Sequence, residues 1–305
     1  MTPPRPPELE ASWRLVDCIR RYAAGLTAVH DTHFGTDYIE DGQVLALETL
    51  RLAGPSLVAE IAEATDLTSE AVLRFMRELR TRRLVTSSRA ADDRRQRTYQ
   101  LSDAGWEAAR RTDTDLEAFF ASAAANAREI AQLTESDGPV ARPIELGTPD
   151  AWALAANFAR TGQELSRAIV ARLGEAREQK VQGRSILAVI AIASHAEMRP
   201  SALANELGIS AASATYLIDA LERHGLATRE RNSAGDRRTK RVVASAEGLA
   251  AAVAVHDALQ EIKPSLHAVF TQAGTIGAAQ ARDQSADPHA SGSKIGLSLH
   301  GHVRP

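Results

Sequence analysis

Two short stretches hold the densest cationic chemistry in the sequence. Between Arg89 and Arg97, four arginines stand against two aspartates; between Arg229 and Arg241, six lysines and arginines stand against Glu230 and Asp236. The chain as a whole has a formal net charge of −3, from 36 Lys+Arg and 39 Asp+Glu. Against that background these are local basic concentrations, and closely spaced guanidinium groups suit a polyanion such as a phosphate backbone. Each contains the triplet DRR, at Asp93–Arg95 and Asp236–Arg238. Arg94, Arg95 and Arg97, and Arg237, Arg238 and Lys240, are the candidate phosphate contacts. Asp93 and Asp236 would be repelled by phosphate and are expected to orient a neighbouring arginine.

Other residues capable of chemistry are sparse. Cys18 is the only cysteine, so no internal disulfide can form, which fits a reducing cytosol. A thiol reacts only where its thiolate is stabilised, and Arg14, Arg20 and Arg21 lie near Cys18 in sequence. The ordinary reading of Cys18 is a small buried side chain. His30 and His33, with Asp31 and Asp37, have a spacing that can share a helical face, but no second ligand cluster accompanies them, so surface histidines are expected and no metal. There is no G-x-S-x-G, P-loop, G-x-G-x-x-G or H-E-x-x-H motif. The expectation is a non-enzyme without a cofactor.

The elements that would present the basic stretches occur twice. At an offset of 142, VLALETLRLAG from Val44 parallels ILAVIAIASHA from Ile186, and IAEATDLT from Ile61 parallels LANELGIS from Leu203. At 143, the two DRR triplets coincide, and SDAG at Ser102 meets SAEG at Ser245. Matched punctuation of this kind marks two copies of one domain. Each copy opens with a long helix, over 8–30 and 150–178, followed by a second at about 40–53 and 184–196. Pro55-Ser56 and Pro200-Ser201 are expected to open a third helix. Thr68 and Ser210 suit the N-caps of a fourth, where Val72, Phe75, Met76 and Leu79, matched by Ala214, Leu217, Ile218 and Leu221, form an inward stripe. LVTSS…TYQLS and LATRE…RVVAS alternate as β-hairpins around the basic tips. Ser102 and Ser245 cap a last helix, roughly 103–132 in the first copy and broken at Pro264 in the second. The expected boundaries are a disordered N-terminus over 1–7, domains over 8–133 and 150–272, a linker over 134–149 and a disordered tail over 273–305. Composition agrees: 44% hydrophobic, 25% charged and 4% aromatic residues describe a soluble, mainly helical protein. The N-terminus lacks a signal-peptide core, and the longest apolar run, from Ser185, is half of the ~20 residues a membrane span needs. A cytoplasmic protein without membrane attachment is expected.

Helix, helix, recognition helix and wing between long flanking helices resembles the MarR-type winged helix-turn-helix regulators. The residues that carry the likeness are GPSLVAEIAEATDLTSEAVLRFMRELRTRRLV with DDRRQRTYQLSDAG, and RPSALANELGISAASATYLIDALERHGLA with GDRRTKRVVASAEG. The resemblance implies a mainly α fold with small β-wings: two winged helix-turn-helix domains in tandem, joined by long helices. The family builds one such domain per chain and pairs two chains, so two copies here imply a covalent pseudo-dimer for which further self-association is not required. Arg82-Arg83 replaces the glycine that usually precedes the wing, which the second copy keeps as Gly225. The implied partner is double-stranded DNA. Recognition-helix contacts would come from Ser69, Glu70, Leu73, Arg74 and Arg77 and from Ala211, Ala212, Thr215, Tyr216 and Asp219. The function implied is a transcription regulator, a repressor relieved by a small-molecule effector or an oxidant. Cys18 with Tyr22 one turn on resembles the first helix of the family's organic-hydroperoxide sensors, which makes this pair the candidate redox sensor. Trp13, Trp106 and Trp152 are expected in the core between the copies, with an effector pocket as the sharper alternative. The larger charge excess of the second wing implies that the second copy supplies more of the DNA affinity. A protein-binding winged-helix module that has lost DNA contact is the alternative, kept open by Glu70 and Asp219.

Overall fold

The computed structural model describes residues 6–89, 96–136, 150–173, 183–195, 198–231 and 240–286. The first copy runs α1 (Pro6–Phe34), α2 (Asp41–Ala53), β1 (Ser56–Leu57), α3 (Val58–Thr65), α4 (Ser69–Thr81), β2 (Val85–Arg89), β3 (Arg97–Leu101) and α5 (Asp103–Leu133). The second runs α6 (Ala151–Leu173), α7 (Arg184–Ser194), α8 (Pro200–Leu207), α9 (Ala211–Arg223), β4 (Ala227–Arg231), β5 (Lys240–Ala244) and α10 (Ala246–Ala286). The fold is mainly α with two small antiparallel wings, as the repeat implied.

Four expectations need correction. Pro55-Ser56 does not open a helix. Ser56 and Leu57 form β1, which pairs with β3 at Ser56↔Tyr99, and α3 begins at Val58. Val58 lies 142 residues before Pro200, so the two third helices start in register. In the second copy a single bridge, Met198↔Val242, takes the place of β1. The last helix does not break at Pro264. α10 continues through it to Ala286, because the turns on either side are anchored by buried Leu259, Ile262, Leu266 and Val269. Packing of this kind offsets the one hydrogen bond that proline removes. Residues 273–286, expected as disordered tail, lie in that helix, with Ala273 fully buried. At the other end, Pro6 and Pro7, placed in a disordered terminus, belong to α1. Positions 1–5, 174–178 and 287–305 lie outside the described residues.

Each copy turns from α4 or α9 into its wing by one device. After α4, the Arg83 N–H bonds the Arg80 carbonyl and the Leu84 N–H bonds the Leu79 carbonyl; after α9, Gly225 bonds Glu222 and Leu226 bonds Leu221. This is a Schellman closure, which needs a left-handed residue in its middle. Gly225 takes φ 72 without steric cost, whereas Arg83 is held at φ 61. We expect Arg83→Gly to stabilise the first copy by about 1 kcal/mol, and Gly225→Ala to destabilise the second by about as much. No atom lies within 4 Å of a Cβ built on Gly225, so only the backbone term acts. Urea denaturation midpoints check both, and a loss of stability in Arg83→Gly would contradict the strain argument.

The described residues group into two compact units that are not contiguous in sequence. The first-wing unit holds residues 18–164 and 262–286; the second-wing unit holds 6–17 and 165–261. The sequence repeats and the compact units therefore do not coincide, since α1, α6 and α10 each contribute to both. In the first-wing unit, Tyr22 packs against Phe119, Phe158 and Phe270 with ring centroids 5.1–5.2 Å apart, and the Gln163 amide donates to the Thr65 carbonyl at 2.7 Å. In the second-wing unit, the Trp13 indole N–H donates to Glu206 at 2.8 Å, Ser12 bonds His256 at 2.8 Å, and Arg172 pairs with Glu261. Trp13 and Trp152 are buried, as expected of core residues, while Trp106 is 37% exposed.

Candidate nucleic-acid interface

The two recognition helices are built as their patterns predict. Thr68 accepts from the Ala71 N–H at 3.2 Å and Ser210 from the Ser213 N–H at 3.1 Å, capping α4 and α9. Val72, Phe75, Met76 and Leu79 are buried, as are Ala214, Ile218 and Leu221, and Leu217 is half-buried. Burying these stripes turns the opposite faces outward. Ser69, Glu70, Leu73, Arg74 and Arg77 are exposed on α4, and Ala211, Ala212, Thr215, Tyr216 and Asp219 on α9. Tyr216 is 72% exposed, a large aromatic surface for a helix that its fold does not need there. The Thr215 hydroxyl donates to the Ala211 carbonyl at 2.9 Å, leaving its methyl group and oxygen lone pair outward.

Both wings are two-stranded ladders of five residue pairs. β2 and β3 run from Val85↔Leu101 to Arg89↔Arg97, and β4 and β5 from Ala227↔Ala244 to Arg231↔Lys240. At the last pair of each ladder two cationic residues stand opposite one another. Arg97 is exposed, and its guanidinium donates to the Ser87 hydroxyl at 3.2 Å. Arg94, Arg95, Arg237 and Arg238 lie outside the described residues.

The junction between recognition helix, wing and last helix explains the repeated SDAG and SAEG. Ser102 accepts from the Gly105 N–H at 3.0 Å and donates to the Arg83 carbonyl at 2.6 Å. Ser245 accepts from the Gly248 N–H at 3.0 Å and donates to the Gly225 carbonyl at 2.5 Å. Gly105 and Gly248 lie directly against the carbonyl oxygens of Leu84 and Leu226, where a Cβ would overlap. One serine and one glycine thus clamp each wing's root onto the start of α5 or α10.

The second copy adds an ion-pair network that motif reading missed. The Arg229 guanidinium on β4 pairs with Asp219 at 2.6 Å and with Glu222, both on α9. Its backbone N–H also donates to Glu222 at 2.8 Å. Arg241 pairs with Glu230 across the strands at 2.8 Å. Two of the six cations counted in the second wing are therefore neutralised by carboxylates. The only sequence signal was the spacing of Asp219 and Glu222 on one helix face.

Comparison with known families agrees with this geometry in both copies. The MarR family model matches residues 180–239, and the winged helix DNA-binding domain model matches residues 41–105. The chain thus carries two winged-helix domains in tandem, the second of them similar to the MarR family. Domains of these families are those of DNA-binding transcription regulators, and they are not typically enzymes. No curated protein and no solved structure matches the chain.

Outside the recognition helices and wings, the other candidate residues separate clearly. Cys18 is half-buried, with Arg21 Nη2 at 4.0 Å from its sulfur. The Tyr22 hydroxyl is buried without a hydrogen-bond partner among the described residues, so it does not bond Cys18, and burial pushes the phenol above its ordinary range. His30 is buried, with Nδ1 donating to the Leu26 carbonyl at 2.9 Å, and desolvation lowers its pKa below the usual histidine range. His33 pairs with Asp115 at 2.7 Å. Asp31 accepts from the Thr36 hydroxyl and the Tyr38 and Ile39 N–H groups, organising the loop after α1. His30, His33 and Asp31 therefore serve the fold, with His30 in the core and not on the surface as expected; among the described residues no three His, Cys, Asp or Glu side chains converge as a metal site. Trp106 borders an open groove of about 420 Å³ with Leu50, Pro55, Gln100 and Leu101. No helix among the described residues is long and apolar enough to cross a membrane.

Proposed function

We propose that this chain is a single-chain, sequence-specific repressor whose two winged-helix domains together bind one double-stranded DNA site, and that a small-molecule effector releases it. The observation that carries this reading is the pair of capped, outward-facing recognition helices with different exposed residues. One chain supplies both of the reading heads that a two-fold homodimer assembles from two. Ser69, Glu70, Leu73, Arg74 and Arg77 meet one half-site; Ala211, Ala212, Thr215 and Tyr216 meet the other. Arg94, Arg95, Arg97, Arg237, Arg238 and Lys240 meet phosphates or a narrow minor groove. Because the two helices differ, the half-sites differ. For release we assign a small-molecule effector, because the Tyr22 hydroxyl is buried among three phenylalanine rings and does not reach Cys18. That same isolation from Cys18 favours an effector over an oxidant.

Selection of binding sites from random duplexes, followed by sedimentation of the complex, tests the reading. The outcome expected is two unlike half-sites and one chain per site. Two chains on the minimal site, or two identical half-sites, would overturn it. The protein-binding alternative rests on Glu70 and Asp219, acidic residues exposed on the two recognition helices. It requires DNA binding that is absent or indifferent to salt.

A further inference from the structure

The two recognition surfaces have opposite electrostatic designs at equivalent positions. Residues 142 apart in sequence occupy matching places, as the paired helix starts, Schellman closures and wing roots establish. In the second copy the α9–β4 corner is Asp219, Glu222 and Arg229, joined in one ion-pair network. The matching residues of the first copy are Arg77, Arg80 and Ser87. All three members differ together: arginines stand in place of both carboxylates, and serine in place of the arginine that faces them. The joint change is physically consistent. An arginine at position 87 would face Arg77 and Arg80 and be repelled, and Ser87 instead accepts from Arg97 at 3.2 Å. The first copy is left with Arg74, Arg77 and Arg80 exposed along α4. The second presents Thr215 and Tyr216 on a helix whose neighbouring carboxylates are held by Arg229.

We propose that the two copies divide the work of binding a DNA duplex unequally: the first supplies more of the electrostatic, phosphate-held affinity, and the second more of the base discrimination, so that its half-site is the more sharply defined of the two. This rests on the DNA-binding reading above and reverses the expectation, drawn chiefly from wing charge, that the second copy supplies more of the affinity. Each phosphate neutralised by the first copy releases condensed counterions, and that term is independent of sequence. In the second copy, Arg229 is a positioning residue. It offsets one of the two carboxylate charges that would repel the backbone, and it ties the wing to α9, so that Tyr216 and Thr215 meet base edges and thymine methyl groups at a fixed angle.

The test transplants the network. In the full chain, Arg77→Asp, Arg80→Glu and Ser87→Arg are combined, reproducing in the first copy a set already accommodated at the equivalent corner of the second. Binding to the selected operator and to a scrambled duplex is measured across a salt series. The graft is expected to flatten the slope of log K against log salt by about two, and to weaken both duplexes by the same factor. Tyr216→Ala is expected to leave the slope unchanged and to lower the operator-to-scrambled ratio by about tenfold. Should the graft fail to fold by circular dichroism, Arg77→Gln and Arg80→Gln singly serve in its place, each flattening the slope by about one. An unchanged slope in these variants, or equal losses on both duplexes in Tyr216→Ala, overturns the division of labour. Failure of the wild-type chain to bind any duplex at low salt overturns instead the reading on which it rests.

Discussion

Gly105→Ala should cost the first-wing unit about 3 kcal/mol, and Gly248→Ala should do the same to the second. A Cβ at either position would overlap the carbonyl oxygen of Leu84 or Leu226. That oxygen cannot retreat cheaply. It accepts the Ser102 N–H at 3.0 Å in one copy and the Ser245 N–H at 3.1 Å in the other, and it belongs to the residue that closes the Schellman turn. The added methyl group must therefore displace backbone that is bonded on both sides, and a side-chain rotation cannot relieve it. Gly225→Ala is the internal standard, because it adds a methyl group into open space and pays only the left-handed backbone term. Urea denaturation, with hydrogen exchange of the wing amides to assign each transition to its unit, measures the difference. Midpoint shifts no larger than that of Gly225→Ala would sink the close-packing account.

Trp152→Ala should destabilise the unit that carries the other copy's wing. Trp152 lies in the second sequence repeat, yet its surroundings come largely from the first. It is 1% exposed, its indole N–H donates to the Ala109 carbonyl at 3.1 Å, and the His30 and Phe34 rings meet it edge-on at 5.1 and 6.1 Å. The Arg51 guanidinium sits 5.7 Å from the ring centroid, steered there by Glu48 at 2.8 Å and Asp150 at 2.9 Å. Truncation leaves a cavity the size of an indole, a helical carbonyl at Ala109 stripped of its second donor and an arginine without its aromatic face. Together these are expected to cost about 4 kcal/mol. Hydrogen exchange should quicken over residues 69–89, in the first wing, and stay near wild type over 211–231. Faster exchange confined to 211–231 would show that Trp152 supports its own repeat instead.

Local features of the fold could be read from the chain because they are local in cause. The stripe Val72, Phe75, Met76 and Leu79 and the hydroxyl caps Thr68, Ser102, Ser210 and Ser245 depend on neighbours within a turn or two. The repeated glycines at 105 and 248 were visible as punctuation, but their reason, a carbonyl some twenty residues back, was not. Misreading Pro55-Ser56 came from matching proline to proline instead of holding the 142-residue offset, which places Val58 opposite Pro200. The continuity of α10 past Pro264 depends on Ile262, Leu266 and Val269 being buried by distant partners, which no periodicity reports. The recognition-face residues Arg74, Arg77, Thr215 and Tyr216 followed from the stripes by subtraction. The network of Arg229 with Asp219 and Glu222 did not, because it forms only after the Gly225 turn folds β4 back along α9.

The division of the long helices between units bears on how the chain can be made. A protein whose domains follow one another in sequence can fold each as it leaves the ribosome. Here the first-wing unit includes residues 262–286 and the second-wing unit runs on to residue 261. Neither can complete its core until nearly all of the chain has been synthesised. The first wing, finished by residue 101, must therefore wait through the translation of some 160 further residues, about 10 to 30 s at ordinary elongation rates, with Phe120 and Tyr22 still lacking the partners they meet in α6 and α10. Nascent chains of this protein would present that aromatic surface to chaperones for most of their synthesis, and a stop codon anywhere before α10 would leave both halves unfinished.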